Sequence, residues 1–329
     1  MSIADEQRVS ASGATTAQSA SQPDAYSPQV IRKLNALTSD FYAREAASFS
    51  ATRQAPWHGW EKAWELITAP DAAQGPFPSH AAVRDSLSSR AARIPDDYAS
   101  NSKDSLAVLD LGCGNLRFER FLAERTNAPL RVTALDNCPD LASPEIGALS
   151  AAFPHSLRSS SAASKTKEED ASGQGANPPE KTIVDLRALD IVESLLDGTF
   201  ADRLPRNSHD LAVAFGLMHH LPTFALRARV LEGILGSLRP GGFAVVSFWQ
   251  FLNDPRLAAK AATVTAEGRA AHCLPTFQEN DFLLGWQHAE GTYRFCHHTP
   301  EDEIDALLAA IREPSAPSTS GCAPPAPLP

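Results

Sequence analysis

A few acids, one arginine and a histidine pair carry the chemistry that this sequence can do. Asp110 stands two residues ahead of the first glycine in Asp110-Leu111-Gly112-Cys113-Gly114. Two such glycines permit a tight strand-to-helix turn and let a ligand approach the backbone with no Cβ in the way. A phosphate loop would carry lysine here, so an acid favours a ligand with a positive group near the turn. Asp136 follows Gly114 by roughly 20 positions, the offset at which a doubly wound sheet sets an acid at the tip of its second strand to hold two ribose hydroxyls. Arg53 lies in a loop beside Ser50, Thr52 and Pro56. A guanidinium fork suits a planar carboxylate or phosphate, the alternative being a solvated arginine. His219 and His220 follow a strand end, where one would pack inward and the other line a pocket. No acid or cysteine stands near them at ligand spacing, so a metal site is not expected.

These residues need a sheet to bring them together. Residues 107–111 are apolar except for Asp110 and read as a buried parallel strand, with helical spacing from Leu116 to Leu122. Further strands are expected at 127–136, at 183–190 with Asp190 near its end, at 210–216 with Phe215 near its end, and at 243–249. Asp190 could equally cap a helix over 191–196. A helix over 223–238 would stop at Arg239-Pro240-Gly241-Gly242, with glycine in the left-handed position. Residues 281–286 and 292–298 read as a hairpin, and Thr299 as the cap of a last helix reaching about Ile311. Upstream, Val30, Ile31, Leu34, Leu37 and Phe41 recur at helical spacing from Pro28 to Phe49, and a second helix follows from Trp60 to Ile67. Trp57, Trp60 and Trp64 read as anchors of this helical pair. The result is an α/β fold, a doubly wound and mostly parallel Rossmann-like sheet of seven strands with an N-terminal helical lid.

The domain limits follow from composition. Residues 1–25 and 314–329 are low-complexity tails expected to be disordered, 26–68 are the N-terminal helices, and 69–105 a connector with one short helix over 81–94. The main domain spans 106–313, with a flexible insertion at about 154–181. The chain has 329 residues, 43% of them hydrophobic, ample for one large core. Its net charge of −10 makes it a poor stand-alone binder of DNA or other polyanions. Five scattered cysteines without a Cys-x-x-Cys pair fit a reducing cytoplasm, and neither a membrane span nor a secretion signal is visible.

The order of these elements, with Asp110/Gly112/Gly114, Asp136, Asp190 and Leu238-Arg239-Pro240-Gly241-Gly242, resembles the class I S-adenosylmethionine (SAM) methyltransferases over about residues 106–313. Several stretches are similar to one group among them, the tRNA wobble-uridine carboxymethyl methyltransferases. These are Phe49-Ser50-Ala51-Thr52-Arg53 with Pro56-Trp57, Gly112-Cys113-Gly114-Asn115, His219-His220-Leu221, and the pair 281–286 and 294–298. The resemblance implies SAM held by Asp110, Gly112, Cys113, Gly114, Asp136, Asn137, Asp190 and Phe215, with Asp190 at the adenine amino group. It also implies Arg53 near a substrate carboxylate, one of His219 or His220 in the pocket, tRNA as substrate, and a small zinc-bearing activator subunit as partner. The sequence departs from that group at Leu116, where glycine is usual, in the 69–105 and 154–181 segments, and in its acidity. Two other functions stay open: methylation of a small metabolite, and binding of SAM without catalysis.

Overall fold

In the computed structural model the described residues are 26–68, 105–126, 128–142, 157–159, 182–287 and 289–312. The expected tails, the 81–94 helix and most of the 154–181 insertion lie outside them. The chain opens with α1 (Pro28–Ala51), capped by the Ser27 side chain, which accepts from the Val30 amide, with proline at the first helical position. Ile31, Leu34, Thr38 and Phe41 form its buried stripe. A short loop carrying Arg53 leads to α2 (His58–Thr68), which buries Trp60 and Ile67.

The central sheet is built from β1 (Leu106–Leu111), β2 (Leu130–Asp136), β3 (Leu157–Ser159), β4 (Thr182–Ala188), β5 (His209–Ala214) and β6 (Leu238–Val246). All neighbours pair in parallel, in the order β3-β4-β2-β1-β5-β6. Strands β1 and β2 extend to one side and β5 and β6 to the other, so the order reverses between β1 and β5. A ligand crevice in a doubly wound sheet opens at that reversal. The helices are α3 (Arg117–Arg125), α4 (Ile191–Leu196), α5 (Phe200–Arg203), α6 (Phe224–Ser237), α7 (Pro255–Ala271) and α8 (Glu301–Ala310). Strand alternation divides the core. From β1, Leu109 and Leu111 join α4 and α6 on one face, while Leu106 and Val108 join Trp60, Phe118, Phe121 and Leu122 on the other. Asp110, in step with 106 and 108, shares the face of α3.

Four expectations need correction. The seven-stranded sheet is a six-stranded parallel sheet and a separate antiparallel ribbon of β7 (Asp281–Trp286) and β8 (Ala289–His297). That ribbon packs on α1 instead, through Leu34, Leu283 and Phe295. Residues 157–159, expected in a flexible insertion, pair with β4. Thr299 caps nothing: its hydroxyl is buried without a partner, and α8 begins after Pro300 without a side-chain cap. The chain also turns directly from α6 into β6 at Leu238, keeping the left-handed Gly241 (φ +83°) within the strand. No helix among the described residues is long and apolar enough to cross a membrane.

Candidate active site

The crevice at the sheet reversal is a cavity whose floor is the glycine turn after β1. Gly112 and Gly114 have φ of +75° and +56°, a region that favours residues without a Cβ. A Cβ on Gly112 would meet the Leu217 side chain at 3.3 Å, whereas on Gly114 it would meet nothing within 4 Å and would occupy the crevice. The Gly114 amide donates to Asp136 Oδ2 at 2.8 Å and the Cys138 amide to Oδ1 at 2.7 Å. Burial raises the Asp136 pKa, and these two amides pull it back down. They also fix the carboxylate at the tip of β2. Cys113 is buried, which pushes its thiol upward, so it serves the site through its backbone. Asp110 lines the cavity at 1% exposure, and its Oδ1 has no partner.

Asp190 ends the run after β4, caps α4 by accepting from the Glu193 amide at 2.9 Å, and lines the cavity. Its carboxylate also accepts from Asn35 at 2.9 and 3.1 Å and from Asn137 at 3.3 Å. Asn137 in turn donates to Ser39 at 2.8 Å. Helix α1 thus reaches over this end of the crevice. Its polar positions Asn35, Ser39 and Tyr42 all line the cavity, a set that its apolar periodicity conceals. Phe215 lines the cavity against Trp57, Trp60 and Phe118. Trp60 is buried in the core, as expected of an anchor, and also lines the cavity, while Trp57 and Trp64 are half-buried against that core and Trp57 faces the crevice.

Arg53 stands half-buried in the cavity wall. Its guanidinium lies 3.6 Å from the Phe49 ring centre and 4.8 Å from that of Trp286, and donates to Thr52 Oγ1 at 3.0 Å. Asn115 holds the loop by donating to the Arg53 carbonyl at 3.1 Å. No carboxylate pairs with Arg53 among the described residues. Burial, and then the nearby Arg294, make its charge harder to hold. Arg294 itself is 5% exposed, lies 4.5 Å from the Phe41 ring centre, and leaves Nε and Nη1 without partners. Sequence reasoning passed over it.

Of the histidines, His220 lines the cavity and His219 packs inward. His220 Nε2 sits 2.9 Å from the Tyr42 hydroxyl and Nδ1 2.7 Å from the Phe295 carbonyl. A neutral ring donating from Nδ1 and accepting at Nε2 satisfies both. Burial, with Arg294 nearby, drives its pKa down to about 3. His219, His220 and Cys296 bring ligand atoms within 4.8 Å of one another. Both His220 nitrogens are engaged, the Cys296 thiol is pushed up to about 11, and Arg294 is adjacent, so the trio does not suit a cation.

No family model and no curated protein matches the chain. Similar solved structures include a SAM-dependent methyltransferase from Methanosarcina mazei, 18% identical, with 63% of this chain and 79% of that one aligned at a TM-score of 0.40. A SAM-dependent methyltransferase from Mesorhizobium loti is 18% identical over 63% and 73%, with a TM-score of 0.33. A third comes from a Haloferax volcanii complex of the Trm112 methyltransferase activator with a methyltransferase, 15% identical over 73% and 78%, TM-score 0.31. These likenesses are distant, and the chemistry is read from the residues.

Proposed function

We propose that the protein transfers the methyl group of SAM to a carboxylate, and that this carboxylate is the carboxymethyl group of a tRNA wobble uridine. The observation that carries the reading is the makeup of one cavity: Asp110, Asp136 and Asp190 line it with the glycine turn, and so does Arg53, without a carboxylate partner among the described residues. The acids suit a cation bearing an ammonium group and a ribose, and the arginine suits an anion. An unpartnered buried oxygen on Asp110 and an open face above Gly114 fit the cofactor. Asp110 would take its ammonium group, the backbone of Gly112, Cys113 and Gly114 its methionine part, Asp136 and Asn137 its ribose, and Asp190 and Phe215 its adenine. The cofactor supplies an electrophilic methyl group.

The chain's own work is placement. A carboxylate acceptor is already anionic and needs no general base, so alignment and exclusion of water dominate, effects worth ~7–11 kcal/mol in well-oriented intramolecular reactions. Arg53, held flat against Phe49 and Trp286, would fork onto the carboxylate. Neutral His220 would orient the Tyr42 hydroxyl at the cavity wall, and His219 would support it from behind. The tRNA acceptor draws its support from the convergence of Phe49, Arg53, Gly112–Asn115 and His220, the stretches that carry the sequence resemblance, on this cavity. A small activator subunit belongs to the same reading.

The net charge of −10 favours a second reading, a small-molecule carboxylate as acceptor. The test is SAM with a labelled methyl group, incubated with the protein and an extract of cells lacking the gene, with and without an activator subunit. Label in tRNA that mild alkali removes is expected. Label confined to small molecules selects the second reading, and no label despite SAM binding leaves a non-catalytic SAM-binding protein.

A further inference from the structure

Glu119 has no place in the site so far, yet it is the most buried charged residue around it. It sits on α3 at 0% exposure, and neither carboxylate oxygen meets a donor. Asp110 projects from β1 onto the face that α3 covers, is likewise buried at 1% exposure with Oδ1 unpartnered, and the two carboxyls are close enough for each to perturb the other. Neighbouring like charges in a dry interior with no donor to stabilise them cannot both ionise, so the stable arrangement keeps a proton on the pair. One wall of the pair is the apolar packing of Trp60, Phe118 and Phe121. The other wall is the crevice, onto which Asp110 opens.

Building on the cofactor reading above, we propose that Glu119 and Asp110 form a proton-sharing pair that gives up its proton when the cofactor's ammonium group binds. Glu119 is then a positioning residue that acts through Asp110. Without ligand the pair shares a proton and spares the interior a second negative charge. A cation arriving at Asp110 favours the ionised form, and the proton leaves to solvent. Binding and proton release are thereby linked, and affinity rises with pH. The other groups facing the pair are Asp136 from β2 and Cys113 from the turn. Asp136 adds repulsion that favours keeping the proton. Cys113, whose thiol burial pushes upward, stays neutral throughout. Burial is the largest cause raising both carboxyls, so the pair holds a proton well above the pH at which a solvated acid would lose it.

The experiment is calorimetric titration of the intact protein with S-adenosylhomocysteine, whose ammonium group stays charged between pH 5.5 and 7.5. Buffers of differing ionisation heat count the protons released. The wild type is expected to release close to one proton per ligand at pH 6.5, with affinity climbing up to about tenfold per pH unit towards pH 7. Glu119→Gln removes the shared proton and lets the amide donate to Asp110, so release should vanish and affinity become flat with pH. Wild-type binding without proton release, or undiminished release in Glu119→Gln, overturns the inference and leaves the cofactor reading standing. No binding at all overturns both. Should Glu119→Gln not fold, the wild-type proton count decides alone.

Discussion

Arg53 and Asp136 line one cavity, and their substitutions should separate its two tasks. Arg53 touches no group of the glycine turn through its side chain; its link to Asn115 runs through its backbone carbonyl. Arg53→Ala should therefore reduce methyl transfer by about 100-fold or more, the scale of losing a charge-assisted fork. The affinity for S-adenosylhomocysteine should change less than about twofold. A parallel collapse of cofactor affinity would move Arg53 out of the acceptor role. Asp136→Asn turns one acceptor oxygen into an amide that faces either the Gly114 or the Cys138 donor. Affinity for the same ligand should fall about 10- to 100-fold, as expected for a buried charged hydrogen bond of ~1.5–3 kcal/mol. At this scale the sequence was informative where residue type and offset sufficed: Asp110, Asp136, the glycines and Arg53 all line the cavity. It was silent on Glu119 and Arg294. Nothing local marks a charged residue in an amphipathic helix or strand as inward-facing, since that depends on which partner covers it.

The element that departs most from its pattern is the start of α3. Leu116, where the resembling enzymes have glycine, holds φ +54° and yet is fully buried in the core with Phe118 and Leu122. The left-handed conformation costs an L-residue roughly 1–2 kcal/mol, whereas losing a buried leucine side chain costs about 2–5 kcal/mol. Both Leu116→Gly and Leu116→Ala should therefore destabilise. The glycine variant should be the more stable of the two by about 1 kcal/mol, reversing the usual helix order, because only it escapes the strain. Urea unfolding of the two variants checks this, and an alanine variant that matches or exceeds glycine would show that Leu116 is unstrained. The periodicity of the strands and of α1, α3 and α6 was legible because one-sided burial writes itself into sequence. The pairing of the ribbon was not. Its residues 281–286 alternate equally well against a sheet edge or against α1, and only long-range packing decides.

At the scale of the molecule, one buried network joins the ribbon to the helices. His297 Nδ1 meets Asp281 at 2.6 Å and Nε2 meets Glu303 of α8 at 2.8 Å. Glu303 pairs with Arg227 of α6 at 2.7 Å, and the Tyr26 hydroxyl donates to Asp281 at 2.7 Å. Burial works against a charged His297, but its two carboxylate partners outweigh burial and raise its pKa above 6.5. A raised histidine stabilises fully below its unfolded value near 6.5 and loses that contribution as pH rises through the folded value. The urea midpoint of the wild type should thus exceed that of His297→Gln by most at about pH 6, and the gap should narrow steadily towards pH 8.5. A gap that widens would mean that His297 is held neutral. The sequence offered this histidine only as half of a motif. The acids that charge it lie on a different strand and helix, so their meeting is a property of the closed fold.

The bond from Tyr26 to Asp281 spans 255 residues of chain. A ribosome adding ~5–20 residues per second needs roughly 13–50 s to make that stretch, while helices form in about a microsecond. During synthesis α1 is therefore made well before the ribbon that covers it. Its stripe of Leu34 and Phe41 lacks its cover of Leu283, Arg294 and Phe295 until the ribbon emerges, so the nascent chain carries an apolar helix face through that interval.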